Sequence, residues 1–267
     1  MTSQVTGQSA PVRALTDEEL ATYRRQGWAK LENFISADVA GEMLAHARKL
    51  MGADAAAAGV GQKSTWNDYY YLARDGVEPF RSVVFSQEIG ANAQRVMGRQ
   101  VGVRYSSDML AVKVPKGPGG GSAQTNWHQD FPNFAHDRVG NTSFWIALDE
   151  VPPERGSMRF LTGSHVEGPL GRTLRLGGDL TDIYPELKDR YEISPPVHLR
   201  PGDATVHHSL VCHYAPENTT DQPRWAFIAS YFPADVLYNG AKNHTADPLG
   251  LTPEQPFDHP NFPIIYP

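Results

Sequence analysis

The chain has 267 residues, with 24 Lys and Arg against 30 Asp and Glu, a net charge of −6. Hydrophobic residues make up 40%, aromatics 10% and charged residues 20%, a globular mix that excludes disorder or coiled coil for the bulk of the chain. Without a basic stripe, nucleic acid is not an expected partner, and the single Cys212 excludes an intrachain disulfide and every multi-cysteine zinc site.

Residues 1–14 are polar and small, and disorder is expected there. They lack the basic-then-apolar pattern of a signal peptide, and no run long enough to span a membrane follows, so a cytoplasmic location is expected. Thr16 opens a helix, with Glu19 completing a capping box, and Gly27 ends it. Trp28 to Phe34 reads as a strand. Ser36 caps a second helix whose Val39, Met43, Ala47 and Leu50 share a face. Ala53 to Gly61 reads as the end of that helix and a loop. Gly61-Gln62-Lys63-Ser64 has the residue types of a phosphate loop, but its glycine and lysine are not adjacent and no strand feeds it, so it is set aside. A further helix fits Ser86 to Met97.

Near residue 100 the chain changes character. Short strands separated by Gly, Pro, Asn and Asp follow: Tyr105 to Val114, Ser143 to Val151, Met158 to Leu161, Ala204 to His208, Val211 to Tyr214 and Arg224 to Phe232. Gly117 to Ser122 reads as a loop and Pro201-Gly202-Asp203 as a turn. The 24 Gly and 21 Pro suit such a turn-rich fold. The expected class is mainly β (α+β): a jelly roll with N-terminal helices packed outside. We expect one domain over residues 15–267, with a helical layer to about 100, a β core over about 101–235 and an irregular tail that folds over one face.

Trp127-His128-Gln129-Asp130 is the sharpest chemical signal. On a strand His128 and Asp130 point to one side, supplying two thirds of the 2-His-1-carboxylate triad that suits non-haem Fe(II). On its own His-x-Asp is common enough to be a hydrogen-bonded surface pair. A third ligand must come from a distant strand, and periodicity leaves His136, His165, His198, His207, His208, His213, His244 and His259 open. Of the neighbours His207 and His208, at most one faces inward.

Asn126 to Pro132, with His128-Gln129-Asp130 at its centre, resembles the metal motif of the phytanoyl-CoA dioxygenase family. Trp145 to Asp149, Gly156 to Phe160 and Gly163-Ser164-His165 extend the resemblance, as do Pro201-Gly202-Asp203, His213, Asn218 and Arg224. In that family a similar turn precedes the distal metal histidine, and an arginine follows at the spacing that separates Arg224 from His213. The resemblance covers roughly residues 15–235. It implies a double-stranded β-helix, His128, Asp130 and His213 as catalytic metal ligands, Fe(II) as the metal, and 2-oxoglutarate and O2 as cosubstrates. It implies further that Arg224 binds the distal carboxylate of 2-oxoglutarate, a residue type whose planar fork matches a carboxylate. Trp145 and Met109 would line the cosubstrate pocket, with Gln129 and Lys113 near it. One departure stands out: many relatives carry His-Gly-Ser where this chain has His213-Tyr214-Ala215, so a hydroxyl contact to the cosubstrate is lost.

The reaction so implied removes a hydrogen from a small-molecule substrate. Hydroxylation is the default, ring closure, epimerisation or desaturation are open, and the setting is natural-product tailoring such as antibiotic biosynthesis. Because Asp130 occupies the position that halogenases of this type leave without a carboxylate, halogenation is not expected. Trp66, Tyr69, Tyr70 and Tyr71 form an aromatic cluster that can close over a substrate, and the tail with His244, Phe257, His259 and Phe262 can act as a lid. A monomer or weak homodimer is expected. Two other readings compete: a metal-dependent cupin-like enzyme that does not use 2-oxoglutarate, and a non-catalytic jelly-roll binding module.

Overall fold

Thr16 starts α1 (Asp17–Gln26) with the reciprocal bonds of a capping box: its hydroxyl accepts from the Glu19 N–H, and the Glu19 carboxylate accepts from the Thr16 N–H. These are details of a computed structural model that describes residues 11–52, 67–115, 124–171, 177–243 and 245–267. Residues 1–10, the Ala-rich stretch, Gly61 to Ser64, the Gly117 to Ser122 loop, Trp66, the Tyr69 side chain and His244 lie outside the described set.

Gly27, at φ 79°, ends α1 and feeds β1 (Trp28–Leu31). This strand stops short of Phe34 because the chain turns at Asn33, whose φ is 49°. Ser36 caps α2 (Ala37–Met51), which buries Ala40, Met43, Ala47 and Met51. Leu50, expected on that face, is 39% exposed. One residue turns the helix by about 100°, so the apolar stripe passes through Met51 instead.

Then come β2 (Asn67–Tyr70), α3 (Phe80–Val84), α4 (Gln87–Met97) capped by Ser86, β3 (Val103–Lys113) and β4 (Thr125–His128). The second half holds β5 (Thr142–Ala147), β6 (Arg159–Phe160), α5 (Leu180–Ile183), α6 (Leu187–Arg190), β7 (Ala204–His208), β8 (His213–Ala215), β9 (Arg224–Pro233) and β10 (Ile264–Tyr266). The sequence pattern gave no sign of β2, β10, α3, α5 or α6; β2 and β10 are short and defined by their pairing with β3, and the three helices are only four or five residues long.

Two antiparallel sheets result. The larger runs β1-β7-β5-β9-β3-β10 with β2 on β3, and the smaller runs β4-β8-β6. Side chains of the large sheet alternate between two layers, as strand geometry requires. Phe144, Ile146, Phe227, Tyr231 and Leu110 pack outward under Leu20, Met43, Phe80 and Ile89 of the helices. Trp145, Ala147 and Ala226 face inward against Met158, Phe160 and Ala215 from the small-sheet side. The N-terminal helices therefore cover the outer face, leaving the space between the sheets for a site. This is the jelly roll expected from the sequence.

The Pro201-Gly202-Asp203 turn ties the entrance of β7 to the segment that joins β1 to α2. Gly202 has φ 89°, and a Cβ there would lie 2.4 Å from the Ile35 carbonyl oxygen, so only glycine fits. The adjoining Asp203 carboxylate accepts from the Asn33 and Arg200 N–H groups.

Candidate functional site

Pairing of β4 with β8 sets His128 directly opposite His213, with ring centroids 4.2 Å apart. Asp130 reaches them by another route than strand alternation. β4 ends at His128, and Asp130 takes helical φ/ψ (−74°, −44°) ahead of a 3-10 turn over Phe131–Asn133. The Asn133 N–H closes that turn on the Asp130 carbonyl, while the Phe131 N–H donates to Ser209. Asp130 Oδ1 thereby lies 3.6 Å from His128 Nε2 and 3.8 Å from His213 Nε2. All three candidate donor atoms fall within 4.8 Å of one another.

The environment selects the protonation states a divalent metal requires. His128 Nδ1–H donates to the Asn126 carbonyl at 2.7 Å, and His213 Nδ1–H to the Val211 carbonyl at 3.1 Å. A carbonyl only accepts, so each ring carries a proton on Nδ1, which leaves Nε2, the atom nearest Asp130, as the nitrogen that can bind a metal. Burial and the neighbouring His128 push the His213 imidazole down to about 3, against the pull of Asp130. Burial by itself would raise the Asp130 carboxyl. The imidazoles of His213, His128 and His207 packed around it outweigh this and hold it well below the usual carboxylate range.

His207 is the inward member of the His207–His208 pair. Its Nε2–H donates to Asp130 Oδ2 at 3.2 Å, and its ring sits 4.7 Å from that of His213. His208 points to the other layer, toward Tyr23 and His165. The adjacency in sequence showed that one of the two faces inward; only the pairing of β7 with β5 and β1 shows which.

The centre opens into a cavity of about 420 Å³ whose lining includes His128, Asp130, His207 and His213 together with Arg224, Trp145 and Met109. Arg224 is 1% exposed. Its Nη1–H donates to the Gly156 carbonyl at 2.7 Å, and the guanidinium carbon lies 5.1 Å from the centre of the Trp145 ring. Glycine is required at 156 for a different contact: at φ 76°, a Cβ there would meet the Pro216 carbonyl oxygen at 2.6 Å. Ala215 is part of the wall.

Gln129 and Lys113, expected near the cosubstrate, are placed outside this lining. Gln129 fastens loops: its Nε2 donates to the Gly168 and Leu210 carbonyls, and its Oε1 accepts from the Leu170 N–H. Lys113 is fully buried, and its Nζ donates to the Ala215 and Pro216 carbonyls at 3.0 and 2.7 Å. Burial and the charge of Arg224 push its amine down to about 6.

A second cavity, of about 430 Å³, shares Asp130, Phe134 and Tyr70 with the first. Tyr71 and the tail residues Phe257 and Phe262 line it. The tail is a packed wall here: Phe257 and Phe262 are buried with Phe232, Val236 and Tyr238. His259 lies against Phe262.

The sequence profile of the phytanoyl-CoA dioxygenase family (PhyH) matches residues 23–226. A probable alpha-ketoglutarate-dependent hypophosphite dioxygenase of Stutzerimonas stutzeri is 24% identical over 244 residues, 82% of this chain and 79% of that protein. Phytanoyl-CoA dioxygenase domain-containing protein 1 of Mus musculus is 27% identical over 183 residues, 67% of this chain and 60% of that protein's length. Among solved structures, the non-heme alpha ketoglutarate dependent carbocyclase SnoK from nogalamycin biosynthesis aligns with a TM-score of 0.77 at 25% identity, covering 93% of this chain and 96% of SnoK. The epimerase SnoN from the same biosynthesis aligns with a TM-score of 0.72 at 25% identity, covering 93% and 95%.

Proposed function

The chain belongs to the phytanoyl-CoA dioxygenase family and is an iron- and 2-oxoglutarate-dependent oxygenase; from that premise we propose how its residues divide the work and what kind of molecule they act on. One observation carries the proposal. Two imidazole Nε2 atoms and one carboxylate oxygen converge at the wall of a cavity that also contains a buried arginine.

In this reading His128, Asp130 and His213 hold Fe(II). The donor set fits the ion: two neutral imidazoles and an anionic carboxylate on one face leave positions for other ligands. Arg224 takes the distal carboxylate of 2-oxoglutarate, since a guanidinium fork matches a carboxylate and the cavity walls keep water from weakening the contact. Trp145 and Met109 flank the cosubstrate. Bound iron supplies the coupling between decarboxylation of 2-oxoglutarate by O2, giving succinate and CO2, and removal of a hydrogen from the substrate. The protein supplies position and exclusion of water.

The substrate is a small natural product. The alignment with SnoK and SnoN, a carbocyclase and an epimerase of one antibiotic pathway, supports this. Hydroxylation is the default outcome, with ring closure, epimerisation and desaturation as variants that differ in the fate of the substrate radical. No described helix is long and apolar enough to cross a membrane; we place the enzyme in the cytoplasm, as a monomer or weak homodimer with one catalytic domain.

Anaerobic addition of Fe(II) and then 2-oxoglutarate to the metal-free protein tests this. A weak visible charge-transfer band that requires both additions is expected, and it should vanish in Asp130→Ala. Tight iron binding without the band would favour a metal enzyme that does not use 2-oxoglutarate. Absence of iron binding would favour a binding module.

A further inference from the structure

The two cavities that meet at Asp130 differ in chemistry. The first contains a buried cation, Arg224. Asp130 apart, the described lining of the second holds no Asp, Glu, Lys or Arg. Rings form much of its wall, Phe134, Phe257, Phe262 and Tyr71 with His136 among them, beside the uncharged side chains of Ser106, Ser107, Asn133, Asn243 and Thr245. An unpaired charge buried there would be costly, whereas a flat apolar ring finds aromatic faces on several sides. The chamber's volume lies within the range of small-molecule sites.

Among these uncharged polar groups of the lining, His136 is the one set between aromatic rings. Phe134 stacks on it at 5.3 Å, and Phe232 and Phe257 pack at 4.6 and 4.9 Å. Its Nδ1–H donates to Asn141 Oδ1 at 3.0 Å, which fixes the ring. Among the described residues Nε2 has no hydrogen-bond partner. The backbone around it is clamped: the Asn239 side chain donates to the His136 carbonyl, the Asn239 N–H to the Ala135 carbonyl, and the Asn243 side chain to the Asn133 carbonyl. Burial keeps the imidazole neutral, pushing it down to about 4.

We propose that this chamber is the substrate site, that it takes an uncharged ring-bearing molecule carrying a hydroxyl, and that His136 Nε2 hydrogen-bonds that hydroxyl and so orients the ring toward the metal centre. The assignment rests on the oxygenase reading above and adds to it the chemical class of the substrate and the residue that positions it. Arg224 reserves the first cavity for an anion, which leaves the uncharged chamber as the other approach to Asp130.

Three matched probes test it on the metal-free protein: 2-naphthalenemethanol, 2-methylnaphthalene and 2-naphthoate, measured by equilibrium dialysis. The alcohol should bind about tenfold or more tightly than the other two, the scale of one buried hydrogen bond. His136→Leu should erase the gap between alcohol and hydrocarbon, and His136→Gln should retain most of it. In the wild type, the His136 Nε2 nitrogen resonance should move with the alcohol and not with the hydrocarbon, a readout that needs no variant. A gap that survives in His136→Leu, naphthoate binding as tight as the alcohol, no binding of the alcohol, or an unmoved resonance overturns the proposal. The Fe(II)/2-oxoglutarate absorbance band should persist in His136→Leu. Its absence from the wild type would overturn the oxygenase reading instead, while the probe preferences would still decide the chamber.

Discussion

His207 Nε2 lies 3.2 Å from Asp130 Oδ2, while Asp130 Oδ1 faces His128 and His213 at 3.6 and 3.8 Å. The carboxylate is thus divided, one oxygen turned to the candidate metal position and the other held by a third histidine. Partners of this kind fix the orientation of a ligand, and their loss typically lowers metal affinity by about 10–100-fold. His207→Leu should weaken Fe(II) retention by that order in anaerobic chelator competition, and His207→Gln, which keeps a donor, should recover part of it. Equal retention in all three proteins would remove His207 from the metal's support.

Arg224→Ala should raise the 2-oxoglutarate concentration needed to develop the charge-transfer band by roughly 10–100-fold, the range of a lost charge-assisted hydrogen bond to a buried anion. Arg224→Lys should recover only part, because an ammonium cannot offer the planar fork. Unchanged titration curves would break the assignment of Arg224 to the cosubstrate.

Acid should destabilise the metal-free protein through two buried imidazoles. His136 is pushed down to about 4 by burial, and His208 to about 4 by burial and by the positive potential of His165 and His207. In the unfolded chain both titrate near 6.5. Between those values the unfolded state binds more protons, so stability is full above about 6.5 and declines as pH falls through 4. Each group contributes on the order of 3 kcal/mol by the lower limit. Urea unfolding at pH 7, 5.5 and 4 should show the decline, and His136→Gln and His208→Gln should each flatten it.

Lys113→Met distinguishes a clamp from a cosubstrate contact. It strips the donor from two carbonyls just after His213, a loss of about 1–3 kcal/mol for each buried acceptor, offset by relief of a desolvated amine. The expected result is a lower melting temperature with 2-oxoglutarate affinity within about threefold of wild type. A rise like that of Arg224→Ala would mean that the amine reaches the cosubstrate after all.

What the sequence disclosed follows the range of each interaction. The caps of α1 and α2 were legible because capping is chemistry between residues three apart; Ser86, read as the first residue of its helix, is in fact the cap of α4. The β core was legible from turn residues between short apolar runs. His128 and Asp130 stood out as a local pair, yet the bend that joins them was hidden, because it depends on Ser209 accepting from the Phe131 N–H. His213 needed the family resemblance, since only the pairing of β4 with β8 brings it opposite His128. His207 was one candidate among eight for the same reason. Gln129 and Lys113 were expected near the pocket, and no strand pattern reveals that their side chains bond backbone carbonyls, Lys113 on Ala215 and Pro216 beside it. Leu50 and Met51 are equivalent by composition, and packing against the sheet decides between them.

Proposed metal ligands and proposed cosubstrate anchor stand on different sheets. His128 and His213 belong to the three-stranded sheet, while Arg224, Trp145 and Met109 belong to the large one. A keto acid bridging them is measured by the gap between two β layers, a spacing set by the many core side chains that hold the layers apart and not by any single contact. The fold then acts as a ruler. Oxaloacetate, one methylene shorter, and 2-oxoadipate, one longer, should both fail to engage the two ends together, and a cavity-making substitution between the layers should blur that selection without touching a residue of the site.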